Sequence, residues 1–267
     1  MMWFSFFLLP LCCIPTLTNA SDWSMTYGVH DFFVREKSSH TFGTDLGIGI
    51  IAEKTTDSGT HLNGSFTAFL ANDQDKLDPD YEPIWYQTDV QATGELYPLT
   101  SNSGFDWLIK FDGKVNTPSG IEQQLKLFAG FDAHYTTSAI KVSLKSLVGY
   151  YFLEIDDDVP RLHGYDTGDL QNKTTAYSIM ADSKIKLNLK MNAYARIQQY
   201  RHDDQWLENQ YELMINHDVT QWIQNSTLTL SAQHTQYNLA PYQRADLTPI
   251  LPWNSDTLIR LYLSVAI

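Results

Sequence analysis

Apolar and polar residues alternate along most of this chain, and the alternation is sharpest at its C-terminal end. Ile259, Leu261, Leu263, Val265 and Ile267 hold every odd position, with Arg260, Tyr262, Ser264 and Ala266 between them. The segment from Ile185 to Ala193 has the same period, with Lys186, Asn188, Lys190 and Asn192 at the even positions. Successive side chains of a strand point to opposite faces, so each segment has one apolar wall and one polar wall. A helix of this composition would mix Lys and Leu around its circumference.

Comparable segments lie near 23–33, 42–54, 61–71, 85–97, 105–115, 122–136, 139–154, 174–182, 184–200, 207–217, 226–237 and 256–267. About twelve strands is an even number, as bacterial single-chain barrels require. The predicted fold class is all-β: a closed antiparallel transmembrane β-barrel. The connections differ in character. Those at 54–60, 98–104, 136–138 and 182–183 are short and rich in Gly, Ser, Thr and Asp, like periplasmic turns. Those at 72–84, 155–173 and 238–254 are longer and carry acidic residues and prolines, like extracellular loops.

Aromatic residues gather near the strand ends. Phe32, Phe33, Phe42, Trp85, Tyr86, Tyr150, Tyr151, Phe152, Tyr200, Trp206 and Tyr237 fall near one rim. Trp23, Tyr97, Phe105, Trp107, Tyr135 and Trp222 fall near the other. Two girdles at headgroup level account for that distribution.

The first twenty residues are apolar from Met1 to Leu17 and end in Thr18-Asn19-Ala20, the pattern of a cleaved signal peptide. Pro10 and Pro15 interrupt the run, which is shorter than the ~20 residues of a spanning helix. Residues 1–20 are therefore expected to be a removed leader and 21–267 a single barrel domain. Both cysteines, Cys12 and Cys13, lie inside that leader. An exported chain without disulfides fits a Gram-negative envelope. The net charge of −13 argues against nucleic acid as a partner.

The mature chain resembles the twelve-stranded outer-membrane barrels of Gram-negative bacteria, and in size is similar to autotransporter translocator barrels, including solitary ones without a passenger. The resemblance spans residues 21–267 and rests on architecture, with one local motif. The strand Ile259, Leu261, Leu263, Val265 and Ile267 resembles the C-terminal signal read by the barrel-assembly machinery, although such signals commonly end on Phe. It implies an outer-membrane location, with outer-membrane lipid, lipopolysaccharide and the assembly machinery as partners. The first strand begins almost directly after Ala20, so no passenger is implied.

Chemical motifs are few. A rim hydrolase acting on lipid needs a His beside a nucleophilic hydroxyl. The candidates are His134 with Thr136, His234 with Ser231, and His30 or His40 with Ser38 or Ser39, none in a specific motif. His202-Asp203-Asp204 and the set Asp73, Asp75, Asp78, Asp80 read as solvated loops, since the latter lacks the Gly and Glu of a calcium loop. No enzyme activity, cofactor or metal is predicted.

The informative feature is inward charge. With the apolar parity facing lipid, the second to fifth strands send Asp45, Glu53, Asp89, Glu95, Asp106 and Asp112 into the lumen. Lys126, Lys141, Lys145, Lys186, Lys190, Arg196 and Arg260 come mostly from the sixth to ninth strands and the last. Lys110, Asp132 and Glu212 break the segregation. Two readings stand side by side. Either opposed rows line a narrow water-filled channel for small polar solutes, or a salt-bridged plug fills a non-catalytic structural or surface-interaction barrel.

Overall fold

The computed structural model describes residues 21–34, 39–73, 84–117, 120–155, 170–238, 240 and 255–266. Twelve strands make up nearly all of them: β1 (Ser21–Val34), β2 (Ser39–Thr55), β3 (His61–Asp73), β4 (Ile84–Thr100), β5 (Ser103–Val115), β6 (Ile121–Thr136), β7 (Ile140–Ile155), β8 (Gln171–Lys186), β9 (Met191–His202), β10 (Gln205–Asp218), β11 (Ser226–Tyr237) and β12 (Ser255–Ala266). Neighbours in sequence are neighbours in the sheet, and β1 pairs with β12 to close it. The closing ladder runs antiparallel from Asp22 opposite Ala266 to Phe32 opposite Asp256. Closure leaves no strand edge with unpaired N–H and C=O groups, the condition for crossing hydrocarbon with strands.

Side-chain parity then makes two walls. Met25, Ile48, Leu144, Val148, Ile179, Ile197, Leu213 and Leu261 are exposed on the outer wall around the whole circumference. Asp45, Lys110, Lys126, Ser178, Gln198, Glu208 and Arg260 are buried on the inner one. Buried beside them are apolar side chains such as Leu108, Phe128, Leu147 and Met180. An apolar outer wall with charged and amide side chains buried within inverts the arrangement of a water-soluble protein and fits lipid. Strand lengths of 12 residues (β9) to 17 residues (β2 and β4) exceed the ~9–11 needed to cross a bilayer.

Both ends of the barrel sequence, 21 and 266, lie at the rim that carries the connections 56–60, 101–102, 137–139, 187–190 and 219–225. At the opposite rim β1 ends and β2 begins, and likewise β3 and β4, β5 and β6, β7 and β8, β9 and β10, and β11 and β12. The three widest gaps in sequence between strands, after β3, β7 and β11, open at that rim, as the sequence predicts, whereas the β9–β10 connection there is short. It is a two-residue hairpin at Asp203 and Asp204, with Asp203 at φ 47, a conformation Asp tolerates in tight turns. Arg201 caps it by donating to the Asp204 carbonyl at 2.6 Å.

Two expectations need correction. The sequence reading breaks the chain at 182–183 and takes 184–200 as one strand. Asp182 and Ser183 instead lie within β8, and the turn falls at 187–190. There the Leu187 amide donates to the Met191 carbonyl at 2.9 Å, and Asn188 Oδ1 accepts from the Lys190 amide at 2.8 Å. Lys186 pairs with Asn192 and Ile185 with Ala193, so even positions share a face on both sides of the hairpin. The alternation therefore runs through the turn unbroken.

The girdle reading also divides. Trp23, Tyr97, Phe105, Tyr135 and Trp222 are exposed at the short-turn end, with Trp107 half-buried. At the other end Tyr150 is outward and exposed, and Tyr86 and Trp206 are half-buried. Trp85, Tyr151, Tyr200 and Tyr237 are buried and share the inner parity, so they fill the lumen. Phe152 is buried beneath the Lys173 ammonium, 5.4 Å from its ring centroid. The side chains of Phe32, Phe33 and Phe42, the predicted leader 1–20 and Ile267 lie outside the described residues.

The two walls of β12 make a direct test. Leu261→Lys places a charge on the lipid face and should cost ~2–4 kcal/mol if near the midplane. Ser264→Ala, on the inner parity, should be tolerated. The readouts are the fraction that stays compact on unboiled gels and the urea midpoint; equal behaviour of the two variants would refute the face assignment.

Candidate functional site in the barrel lumen

Register delivers the inner charges to one another. Asp89, Asp112, Lys126 and Tyr151 stand opposite one another in turn across β4, β5, β6 and β7. Glu208 on β10 stands opposite Tyr200 on β9. The β6–β7 and β9–β10 hairpins flank β8, and a bridge spans the lumen between them. Lys126 Nζ lies 2.7 Å from Glu208 Oε1, with the two side chains 1% and 0% exposed. Gln124 donates to Glu208 Oε2 at 3.1 Å and Tyr151 to the same oxygen at 3.0 Å, while Gln210 donates to Oε1 at 2.6 Å. A buried carboxylate needs its charge balanced and its lone pairs occupied, and this one has both.

A second cluster lies on the opposite side. Asp45 on β2 and Arg260 on β12 both stand opposite Gly28 on β1, and they approach across it to 3.8 Å. A Cβ on Gly28 would lie 2.0 Å from Asp45 Oδ1, so only glycine leaves room for the pair. Arg260 also donates to Gln87 Oε1 at 3.1 Å and stacks over Phe69 and Trp85, whose rings lie 4.0 Å apart.

Other inner charges pair locally. Lys110 reaches Asp112 at 3.2 Å and Asp89 at 3.6 Å. Lys145 contacts Asp182 at 2.5 Å and Asp132 at 3.9 Å. Arg196 meets Glu212 at 2.9 Å, and His134 meets Asp106 at 3.3 Å. Two acidic and basic rows facing each other across the lumen are therefore not what forms. Adjacent strands neutralise one another instead, because Glu208, Glu212, Asp132 and Asp182 sit on the basic side.

Of the sequence-predicted lining residues, Asp45, Asp89, Asp106, Asp112, Lys126, Lys145, Arg196 and Arg260 point inward and engage in these pairs. Lys141 and Lys186 keep the inner parity but are exposed at the short-turn rim, where Lys141 stands opposite exposed Lys184. Lys190 lies in the β8–β9 turn, where its ammonium donates to Gln221 at 2.8 Å, outside the lumen. Reading that turn as strand placed it inside. The sequence reading missed Glu208, which follows a bulge between Trp206 and Glu208, and also Gln124, Gln210 and Asp182. Their signal was parity, available once the strand boundaries are right.

Of the hydrolase candidates, His234 and Ser231 lie on opposite walls. His234 Nδ1 lies 2.8 Å from Thr257 Oγ1 on the outer wall, whereas Ser231 is buried on the inner parity. His134 faces Asp106 inside, and the side chains of His30, His40, Ser38 and Ser39 lie outside the described residues. His202 accepts or donates within 2.8 Å of Thr174 Oγ1 beside the hairpin. Of the acidic set, Asp75, Asp78, Asp80 and the Asp73 side chain lie outside the described residues. Among the described residues no group of three His, Cys, Asp or Glu is placed to hold a metal ion.

No protein-family model matches the sequence, and no curated protein sequence does. Solved structures do match in fold. An outer membrane channel from Pseudomonas putida F1 aligns at a TM-score of 0.51 and 8% identity, over 96% of this chain and 98% of that one. The NanC porin aligns at 0.49 and 8% identity, over 92% and 100%. The translocator domain of the autotransporter NalP from Neisseria meningitidis aligns at 0.46 and 8% identity, over 92% and 88%. The structural neighbours are outer-membrane barrels of the twelve-stranded type, and at these identities the likeness concerns the fold.

The bridge and the glycine gap give two stability tests. Glu208→Ala leaves Lys126 buried without its carboxylate and should cost about 3–5 kcal/mol, whereas Glu208→Ala with Lys126→Met should recover much of that loss. Gly28→Val should cost about 1–3 kcal/mol by overpacking. Gly64→Ala, whose Cβ would meet nothing nearer than 3.9 Å, should cost far less. Urea midpoints of the refolded barrels decide both; a fully additive pair at 126 and 208 would show that the bridge is not coupled.

Proposed function

We propose that this chain is a narrow channel for small polar solutes in the bacterial outer membrane, closed at rest by the layer around Lys126 and Glu208. One observation carries the reading: the Lys126–Glu208 salt bridge, with Gln124 and Gln210, is buried in the lumen among aromatic and aliphatic side chains. Replacing a buried ion pair by well-packed apolar residues is often neutral or stabilising. A barrel that needed only a filled interior would gain nothing from Lys126, Glu208, Gln124 and Gln210 within it. Polar groups that pair with one another can also exchange those partners for water or solute. The exposed charges Glu53, Lys184 and Lys186 at the short-turn rim give the lumen a wettable entrance.

A second reading, the plugged structural barrel, is favoured by the complete pairing of Glu208. In the channel reading the outer wall meets lipid and lipopolysaccharide, and the strand Ile259–Val265 serves the assembly machinery; the plugged barrel shares both roles.

Single-channel recording in planar bilayers separates the two. The channel reading expects small, brief openings from the intact protein and a several-fold larger conductance from the Glu208→Ala, Lys126→Ala double variant. The enlarged current should favour cations, since Asp89 and Asp112 remain, and that preference should weaken at 1 M salt, where the Debye length is about 3 Å. Silence from both proteins at every voltage supports the plug and overturns the channel.

A further inference from the structure

The closing bridge is built around its cation. Lys126 Nζ lies 4.4 Å from the ring centroid of Tyr200 and 5.6 Å from that of Tyr151, with Glu208 Oε1 at 2.7 Å. One carboxylate and two aromatic faces about a single ammonium group make the chemistry of an amine-binding site: the rings attract the cation and the carboxylate takes an N–H. The same composition recurs across the lumen. The Arg260 guanidinium lies 4.6 Å from Phe69, 5.0 Å from Trp85 and 3.8 Å from Asp45.

The two halves of the bridge are not equally fixed. Glu208 keeps three further donors, from Gln124, Tyr151 and Gln210, if Lys126 departs. Lys126 is a compact charge on a flexible four-carbon stem. The carboxylate and rings are thus the standing half of the site and the ammonium its exchangeable half. The net charge of −13 favours the approach of cations over anions.

We propose that Glu208, Tyr200 and Tyr151 form a binding site for an organic ammonium ion, which Lys126 occupies as a tethered stand-in. The site gives the channel of the preceding subsection its solute class, amine-bearing cations, and rests on that reading for its role in passage. An arriving amine takes the place of the Lys126 ammonium against Glu208 and the two rings, and the lysine arm swings aside.

Lys126→Ala removes the tethered arm and leaves the site empty, and the probe is n-butylammonium chloride, which has the four carbons and the charge of a whole lysine side chain. In planar bilayers butylammonium should block the Lys126→Ala channel at a concentration at least tenfold below that of sodium butyrate or butanol. The block should disappear when Glu208→Gln is added. Equal, weak block by all three compounds overturns the amine site while leaving the channel standing. If Lys126→Ala carries no current, its thermal midpoint in detergent decides. A saturable rise with butylammonium, absent with butyrate, supports the site, and no rise overturns it; the channel reading stands or falls on the recordings of the preceding subsection. If the variant does not assemble, refolding with butylammonium replaces that measurement: recovery specific to the amine supports the proposal, and failure to recover overturns it.

Discussion

Closure of the sheet is the constraint on which everything else in this molecule depends. Hydrocarbon offers no partner to a backbone N–H or C=O, so strands can cross it only when each edge finds another edge. Here the last edge is supplied by the eleven register pairs between β1 and β12. Once the ring is shut, alternate side chains have no choice of solvent. Odd residues of β12 face outward and even ones face the lumen, and the same division holds strand by strand around the wall.

That division turns the interior into an electrostatic problem. Charges confined there are far from bulk water, and each must find its opposite within the ring. Most do so on a neighbouring strand, as Arg196 with Glu212 and Lys145 with Asp182. Asp45 and Arg260 meet across a strand that offers no side chain between them, which makes Gly28 part of the pair's geometry. Lys126 and Glu208 go further and span the cavity, with Tyr151 and Tyr200 supplying the walls of the crossing.

The barrel itself was legible because period-two alternation is a direct image of its two walls, as Ile259 to Val265 shows. The β8–β9 turn was not, because Lys186 pairs with Asn192 and keeps even residues on one face through the hairpin. The lumen was half legible. Parity placed Asp45, Lys126 and Arg196 inside, but it cannot say which inward charges meet. Tyr151 and Tyr200 were read as headgroup anchors because they lie near a rim, and position along a strand does not reveal the face. Glu208 was hidden by the bulge that precedes it, where parity slips by one residue. The sites that pattern reading missed are those where distant strands contribute to one cluster.

The bridge also carries a consequence for lifetime. Lys126 and Glu208 are 82 positions apart in sequence, and the strands that bear them are separated by three others within the sheet. The two side chains can meet only after that sheet has curled, so the contact belongs to the last stages of folding. Contacts absent from the transition state leave the folding rate nearly unchanged and act on the rate of unfolding. The charged layer across the lumen thus works as a late-set clasp, governing how long an assembled barrel endures more than how quickly it is made.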